Sequence, residues 1–459
     1  MTLGRRMALR RRRLGLFVFV ALAVLLVAGS APGQIVMRSV EALPSIDAAQ
    51  RAAIVDSVTT TLSNVYVFED VAREMENHVR GQLKRGQYDD METLAEFTRA
   101  LTEDLRSISN DRHLSVAFLD PASMAEALQE EEDAEVSRTR QLERLRRDNF
   151  MFREVKLLEG NVGYLRLDAF VGAELSGPTA TAAMNFLGNC DALIIDLRQN
   201  GGGDPSLIQY LTAYLLDEST HLNSFENRRE ASIHQFWTAP YVPGPKLADV
   251  PVFVLTSQRT FSGAEEFTYN LKSLERATIV GETSGGGAHP VQPHHFPSLG
   301  VQMYVPYARA LNPITGTNWE GTGIAPHIEC GAPAALDVAH LEALRGVREK
   351  ETDPDRIVAL DWAIGGLTAK FHPTEIDAAT LERYAGTYED RRLWVEDGRF
   401  FYQRGDGAVL HPVPMTERLF RFDEIEYFRL EIVLDDAGDP VKLIGHYHGG
   451  RTDESPRTD

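Results

Sequence analysis

The chain reads as an α/β protein built on a largely parallel sheet covered by helices, with a helical segment before it and a small antiparallel β domain after it. Three observations predict this. From Val155 to Gly287, short β-branched apolar runs alternate with stretches of helical spacing, which is the pattern of βα units. Residues 45–107 keep apolar side chains at helical intervals, and residues 374–450 alternate apolar with polar between turn signals such as DG and GDG. With 459 residues, 43% of them hydrophobic, there is enough chain for two or three cores. The expected divisions are a leader over 1–33, a helical domain over 40–110, an α/β core over 111–335, a helical linker over 336–373 and a small β domain over 374–459.

The leader carries six arginines (Arg5, Arg6 and Arg10 to Arg13), then the apolar run LGLFVFVALAVLLVAG, then small residues between Ala28 and Gln34. A basic start, an apolar middle and a small-residue cleavage zone predict export, so the expected place is periplasmic or extracellular. An uncleaved N-terminal anchor is the alternative, although the run is short for a membrane span. The formal charge is −20, and loss of the leader arginines makes the remainder more acidic still. Such a surface argues against nucleic-acid partners. Cys190 and Cys330 allow at most one disulfide, and a buried free Cys190 thiol is an equal reading.

Three amphipathic segments fill 45–107, namely IDAAQRAAIVDSVTTTL, FEDVAREMENHVRGQL and METLAEFTRALTEDL. NDRHLSVAFL follows, and it sets His113 where a helix gives way to an alternating strand. EALQEEEDAEVSRTRQLERLRRD, an acidic block and then a basic one, reads as a solvated helix with i,i+4 pairs.

In the βα region the strands are NVGYLRLDAF, DALIIDLRQ, PVFVLTS and ATIVGET. Ligands of such sheets gather beyond the carboxyl ends of the strands. Two features fall there. The run Gly201 to Gly203 lets the backbone turn freely and approach a ligand, and with no Gly-Lys-Ser/Thr after it an oxyanion pocket suits it better than a phosphate loop. Ser262 lies in a tight turn between the strand at 252–255 and a helix whose apolar residues recur at Ala264, Phe267, Leu271 and Leu274. A strand, a turn carrying serine and an immediate helix lift a hydroxyl toward backbone N–H groups, although the serine could equally cap that helix.

Residues 301–330 read as a hairpin followed by a glycine-rich connection that holds Glu320 between Trp319 and Gly321. The acids Glu265 and Glu266 after Ser262 read as partners of the helix dipole. Asp196 and Arg198 read as structural supports of the glycine loop. The adjacent His294 and His295 point different ways on a strand, so neither a metal nor any other cofactor is expected.

Taken in order, DALIIDLRQNGGG, TSQRTFSGAEEF, ATIVGETSGGG and WEGTGIAPHIE resemble the catalytic core of the tail-specific (C-terminal-processing) proteases, tricorn protease and interphotoreceptor retinoid-binding protein. The resemblance covers 110–330, and residues 45–107 resemble that superfamily's N-terminal helical domain. It implies a crotonase-like ββα fold with Ser262 as nucleophile. The tail-specific branch pairs its serine with a lysine after the serine-bearing helix, but here that segment is GETSGGGAHP, without lysine. Lys272 lies inside the helix. The tricorn-like branch uses a histidine from a D-x-H motif and a glutamate from EG-x-G, which match DRH at 111–113 and EGTG at 320–323. By that match His113 is the general base and Glu320 its orienting carboxylate. The amide of Gly263 and one from Gly201 or Gly202 would form the oxyanion hole. The stretch between His113 and Val162 is too short for the PDZ module usual in tail-specific proteases, so the likeness is to the branch lacking one. The implied function is an exported serine endopeptidase acting on peptide or protein substrates. The alternatives are a carrier of hydrophobic ligands and an esterase. Oligomeric state is left open.

Overall fold

The computed structural model describes residues 44–120, 122–125, 134–371 and 374–459, so the expected leader lies outside the described residues. Among those described, no helix is long and apolar enough to cross a membrane.

Three helices open the chain: α1 (Ala48–Val65), α2 (Glu69–Lys84) and α3 (Leu94–Ser109). Local sequence fixes their ends. Asp47 with Gln50, and Thr93 with Glu96, form reciprocal capping boxes at α1 and α3. Asn110 then adopts a left-handed conformation (φ 54°) that stops α3 and turns the chain sharply. The next residues lead into β1 (Ser115–Phe118). Helix α4 (Ala134–Arg147) carries the basic half of the charged block.

The central sheet has six strands: β2 (Phe152–Leu158), β3 (Val162–Leu167), β4 (Ala192–Asp196), β7 (Val252–Thr256), β8 (Ala277–Gly281) and β12 (Ile328–Glu329). Their spatial order is β12-β8-β7-β4-β3-β2, and every pairing is parallel except that of β2 with β3. One face packs Leu165, Leu193, Ile195, Val254 and Ile279 against α5 (Ala173–Phe186), α6 (Pro205–Leu215) and α7 (Gly263–Ser273). The other packs Tyr164, Ile194, Leu255 and Val280 against α8 (Ala335–Lys350) and α9 (Pro354–Phe371). Burial on both faces explains why β4 and β7 read as unbroken apolar runs.

Two smaller sheets flank this core. The hairpin β5 (His221–Asn227) and β6 (Ser232–Trp237) is joined by β11 (Arg309–Leu311). Strand β1 pairs antiparallel with β10 (Val301–Pro306), which pairs in turn with β9 (Val291–Phe296). The expected hairpin within 301–330 is therefore not formed. Strand β10 finds its hairpin partner upstream, because Gly300 in a left-handed turn (φ 65°) folds it back onto β9. Leu114, Val116, Val301, Met303 and Val305 share one core with α1 to α3.

Helix α10 (Ala378–Tyr384) leads into two antiparallel sheets over residues 386–456, one of three strands and one of five. Their core of Tyr388, Leu393, Phe400, Phe420 and Leu430 is separate from the others. Cys190 and Cys330 are both free thiols.

Candidate active site

Ser262 stands at the N-cap of α7 with φ 52° and ψ −122°. Non-glycine residues rarely adopt that region, at a cost of about 1–3 kcal/mol. The strain is held in place by Glu265. Its carboxylate is fully buried and accepts the amide of Ser262 (2.9 Å), the amides of Gly286 (2.7 Å) and Gly287 (2.8 Å), and the hydroxyl of Ser284 (2.5 Å). Burial pushes the Glu265 carboxyl up, and these four donors act against that by favouring its charged form. Glu265 thus does more than meet the helix dipole: it joins the serine turn to the loop 284–287. Only its place three residues after Ser262 signalled this in the sequence.

The same loop receives His113. A Cβ on Gly287 would lie 2.6 Å from His113 Cε1 and 2.3 Å from Phe261 Cζ, so only glycine fits there. The His113 ring packs on Phe261, the residue before Ser262, with centroids 4.5 Å apart. Asp111 fixes the turn that presents it, since Oδ1 of Asp111 accepts the His113 amide (3.0 Å). Arg112 anchors the turn through the Gly285 carbonyl (2.5 Å). Burial lowers the imidazole to about 4, opposed by the Asp111 carboxylate. Among the described residues no hydrogen bond joins the His113 ring to Ser262 or to Glu320, and its Nδ1 is buried without a partner.

Glu320 meets this strap one residue further on. Its Oε2 accepts the amides of Ala288 (2.6 Å) and His289 (3.2 Å), while its Oε1 is buried without a partner. Burial, with Asp111 close by, raises its carboxyl to about 7. His289 lies between the two acids, with Nδ1 2.9 Å from Asp111 Oδ2 and 3.4 Å from Glu320 Oε2. The Tyr66 hydroxyl also donates to Asp111 Oδ2 (3.4 Å). Sequence reasoning gave neither Asp111 nor His289 a role, though each lies inside a motif it quoted. Asp111, His289 and Glu320 bring one potential metal-ligand atom each within 4.8 Å of one another.

The glycine loop closes the site from the β4 side. Gly202 (φ 109°) packs against Ser262, and a Cβ there would stand 2.7 Å from the Gly263 nitrogen. The Gly202 amide, expected as an oxyanion donor, is engaged instead by Asn200 Oδ1 (2.8 Å), since the loop folds over its own asparagine. Gly201 is exposed with nothing near its Cβ position, and the Gly203 nitrogen lies 2.9 Å from where a Cβ on Gly263 would be. The loop's support is as expected. Arg198 clamps Asp196 through two bonds (2.9 and 2.6 Å) and holds the Ala332 carbonyl (2.6 Å), and Tyr164 donates to Asp196 (2.7 Å). Lys272 is turned away, with Nζ on the Ala325 carbonyl (2.5 Å).

Ser262 thus stands on a strained strand-to-helix turn beside the glycine loop, and the His113 ring packs on the residue before it. Residues 161–330 match the model of peptidase family S41, and residues 38–152 match that of the N-terminal domain of peptidase S41 in eukaryotic IRBP. The chain belongs to peptidase family S41. It is similar to the photosystem II D1 C-terminal processing protease at 16% identity, over 61% of this chain and 93% of that one, with a TM-score of 0.39. Tricorn protease is similar at 14% identity, over 70% of this chain and 37% of its own, with a TM-score of 0.42. A lipoprotein from Streptococcus agalactiae is similar at 16% identity, over 66% of this chain and 99% of its own, with a TM-score of 0.41.

Proposed function

We propose that this chain is an exported serine endopeptidase with a crotonase-like core, hydrolysing peptide bonds through an acyl-enzyme. Ser262 is the nucleophile, His113 the general base and Glu320 the carboxylate that orients it. The observation that carries the reading is the packing of the His113 ring on Phe261 beside the strained Ser262 elbow. His113 and Glu320 touch the strap at adjacent residues, Gly287 and Ala288, and each keeps one buried atom unpaired. Those two atoms, Nδ1 and Oε1, are the pair that the orienting contact requires.

As Ser262 Oγ attacks the carbonyl carbon, its proton passes to His113 Nε2. The carbonyl oxygen takes up the negative charge and is met by the amide of Gly263 and one from Gly201 or Gly203. Each such donor is worth about 10²–10³ in rate. His113 then gives its proton to the leaving amine, and the C–N bond breaks. Water, deprotonated by the same imidazole, hydrolyses the ester and returns the proton to Ser262.

The test is turnover of peptides and covalent labelling by a fluorophosphonate, beside Ser262→Ala and His113→Ala. Labelling of wild type alone, with turnover lost in both folded variants, is expected. A wild type that is neither labelled nor active on peptides would refute the assignment.

A further inference from the structure

His289 ends the strap just before β9, and no step of the proposed reaction passes through it. The residue is 3% exposed, enclosed by segments far apart in the chain. Phe68, which precedes α2, meets its ring edge-on with centroids 5.5 Å apart. Asp111 reaches it from the turn after α3, and Glu320 from the glycine-rich connection. Its Nδ1 lies 2.9 Å from Asp111 Oδ2 and 3.4 Å from Glu320 Oε2. A carboxylate can only accept hydrogen bonds, so a ring nitrogen that faces two of them carries the proton. Nδ1–H is thus one donor between two acids.

Each of those acids holds a different part of the proposed site. Oδ1 of Asp111 accepts the amide of His113 (3.0 Å) and so sets the turn that presents the base. Oε2 of Glu320 accepts the amides of Ala288 (2.6 Å) and His289 (3.2 Å), which leaves Oε1 as the oxygen without a partner among the described residues. Two buried carboxylates this close repel when both are charged, and a charge-assisted N–H between them offsets the repulsion. Take the imidazole away and Asp111 Oδ2 keeps only the Tyr66 hydroxyl, at 3.4 Å. Nothing would then tie the turn of the base to the acid.

We infer that His289 is a positioning residue of the peptidase site, its Nδ1–H joining Asp111 to Glu320 so that His113 and the free Oε1 of Glu320 are held in one arrangement. The inference rests on the peptidase reading above. His289 touches no reacting atom and acts through the two acids. It also explains why a histidine, and not an apolar residue of like size, is buried against Phe68 at the seam between the opening helices and the strap.

The experiment measures kcat and KM of the full chain on a peptide that wild type cleaves, for His289→Ala, His289→Asn, Glu320→Gln and the two double variants with Glu320→Gln. His289→Ala should lower kcat about 100-fold and leave KM within about 3-fold. His289→Asn, whose amide can place an N–H near the same point, should recover about 10-fold of that loss or more. Because His289 acts through Glu320, either His289 change should cost less than about 3-fold further when Glu320→Gln is already present. A measurement on wild type needs no variant enzyme to be active: with 15N-labelled histidine, one buried imidazole should show a protonated Nδ1 at neutral pH, and that signal should vanish in His289→Asn. Full kcat in a folded His289→Ala, a loss that appears undiminished on top of Glu320→Gln, or a His289 Nδ1 that bears no proton would each overturn the inference, while fluorophosphonate labelling of wild-type Ser262 left the peptidase reading intact. A wild type neither labelled nor active on any peptide would remove both.

Discussion

The backbone N–H of Ser262 donates to Oε2 of Glu265 at 2.9 Å, and the same oxygen accepts the amide of Gly287 at 2.8 Å. One buried carboxylate therefore sets both the Ser262 turn and the strap against which His113 lies. Replacing it with alanine leaves three amides and the Ser284 hydroxyl unpartnered in the interior. Glu265→Ala is expected to cost about 3–5 kcal/mol in denaturant unfolding. In whatever folds, turnover should fall about 100-fold as the elbow relaxes. Glu265→Gln, which keeps one acceptor, should fall between the two.

At Gly287 a side chain has no room, because Phe261 and His113 occupy its place. Gly287→Ala should displace the imidazole and lower kcat/KM about 100-fold. Its stability cost should be about 1–3 kcal/mol. Gly346 in α8 is the control, since nothing lies within 4 Å of its Cβ position. Gly346→Ala should stabilise the fold by about 0.4–1 kcal/mol and leave activity unchanged.

The two titrating partners of the proposed site are shifted toward each other's range, His113 down to about 4 and Glu320 up to about 7. Activity should rise with pH through about 7 as Glu320 ionises while His113 is already neutral. Glu320→Gln should abolish that inflection, lower the rate and leave a limb near 4. The same groups govern stability in opposite senses. With its folded value raised, Glu320 stabilises below its ordinary 4.5, and that contribution is lost as pH climbs through about 7. With its folded value lowered, His113 stabilises above its ordinary 6.5, and that is lost as pH falls toward 4. Urea melts across pH 4 to 8 should accordingly show a shallower decline from 4.5 to 7 in Glu320→Gln than in wild type.

Asp196 is buried, and burial alone would raise its carboxyl, but the Arg198 guanidinium holds it below the usual range. Arg198→Met removes that partner and strands the acid beneath the glycine loop. Unfolding measurements should show a loss of about 3–5 kcal/mol. Activity should decline with it as the loop shifts.

The parallel sheet was legible because strands buried on both faces must be apolar throughout, as ALIID and VFVLT are. The helical start was legible in the apolar spacing of residues 45–107, which the three helices bury in one core. The hairpin of β5 and β6 was not, because HLNSFEN and SIHQFW mix polar with apolar residues and β6 is largely exposed. Ser262, His113 and Glu320 were expected from motifs, but the loop that Glu265, His113 and Glu320 all meet could not be read there. Glu265 read as an ordinary first-turn acid, and its four donors come from residues up to 22 positions away. Gly202 was misread for a similar reason: which glycine amide is free depends on where the Asn200 side chain folds.

His113 rides on a turn leading into β1, whose sheet shares its interior with the three opening helices, whereas Ser262 rides on the central sheet. The proposed base and nucleophile thus belong to different hydrophobic clusters. Loosening the smaller cluster would silence the enzyme while most of its circular-dichroism signal survived. Heat inactivation is then a readout of how firmly the two halves dock, and a ligand or partner that grips both would act as an activator without touching either reacting atom.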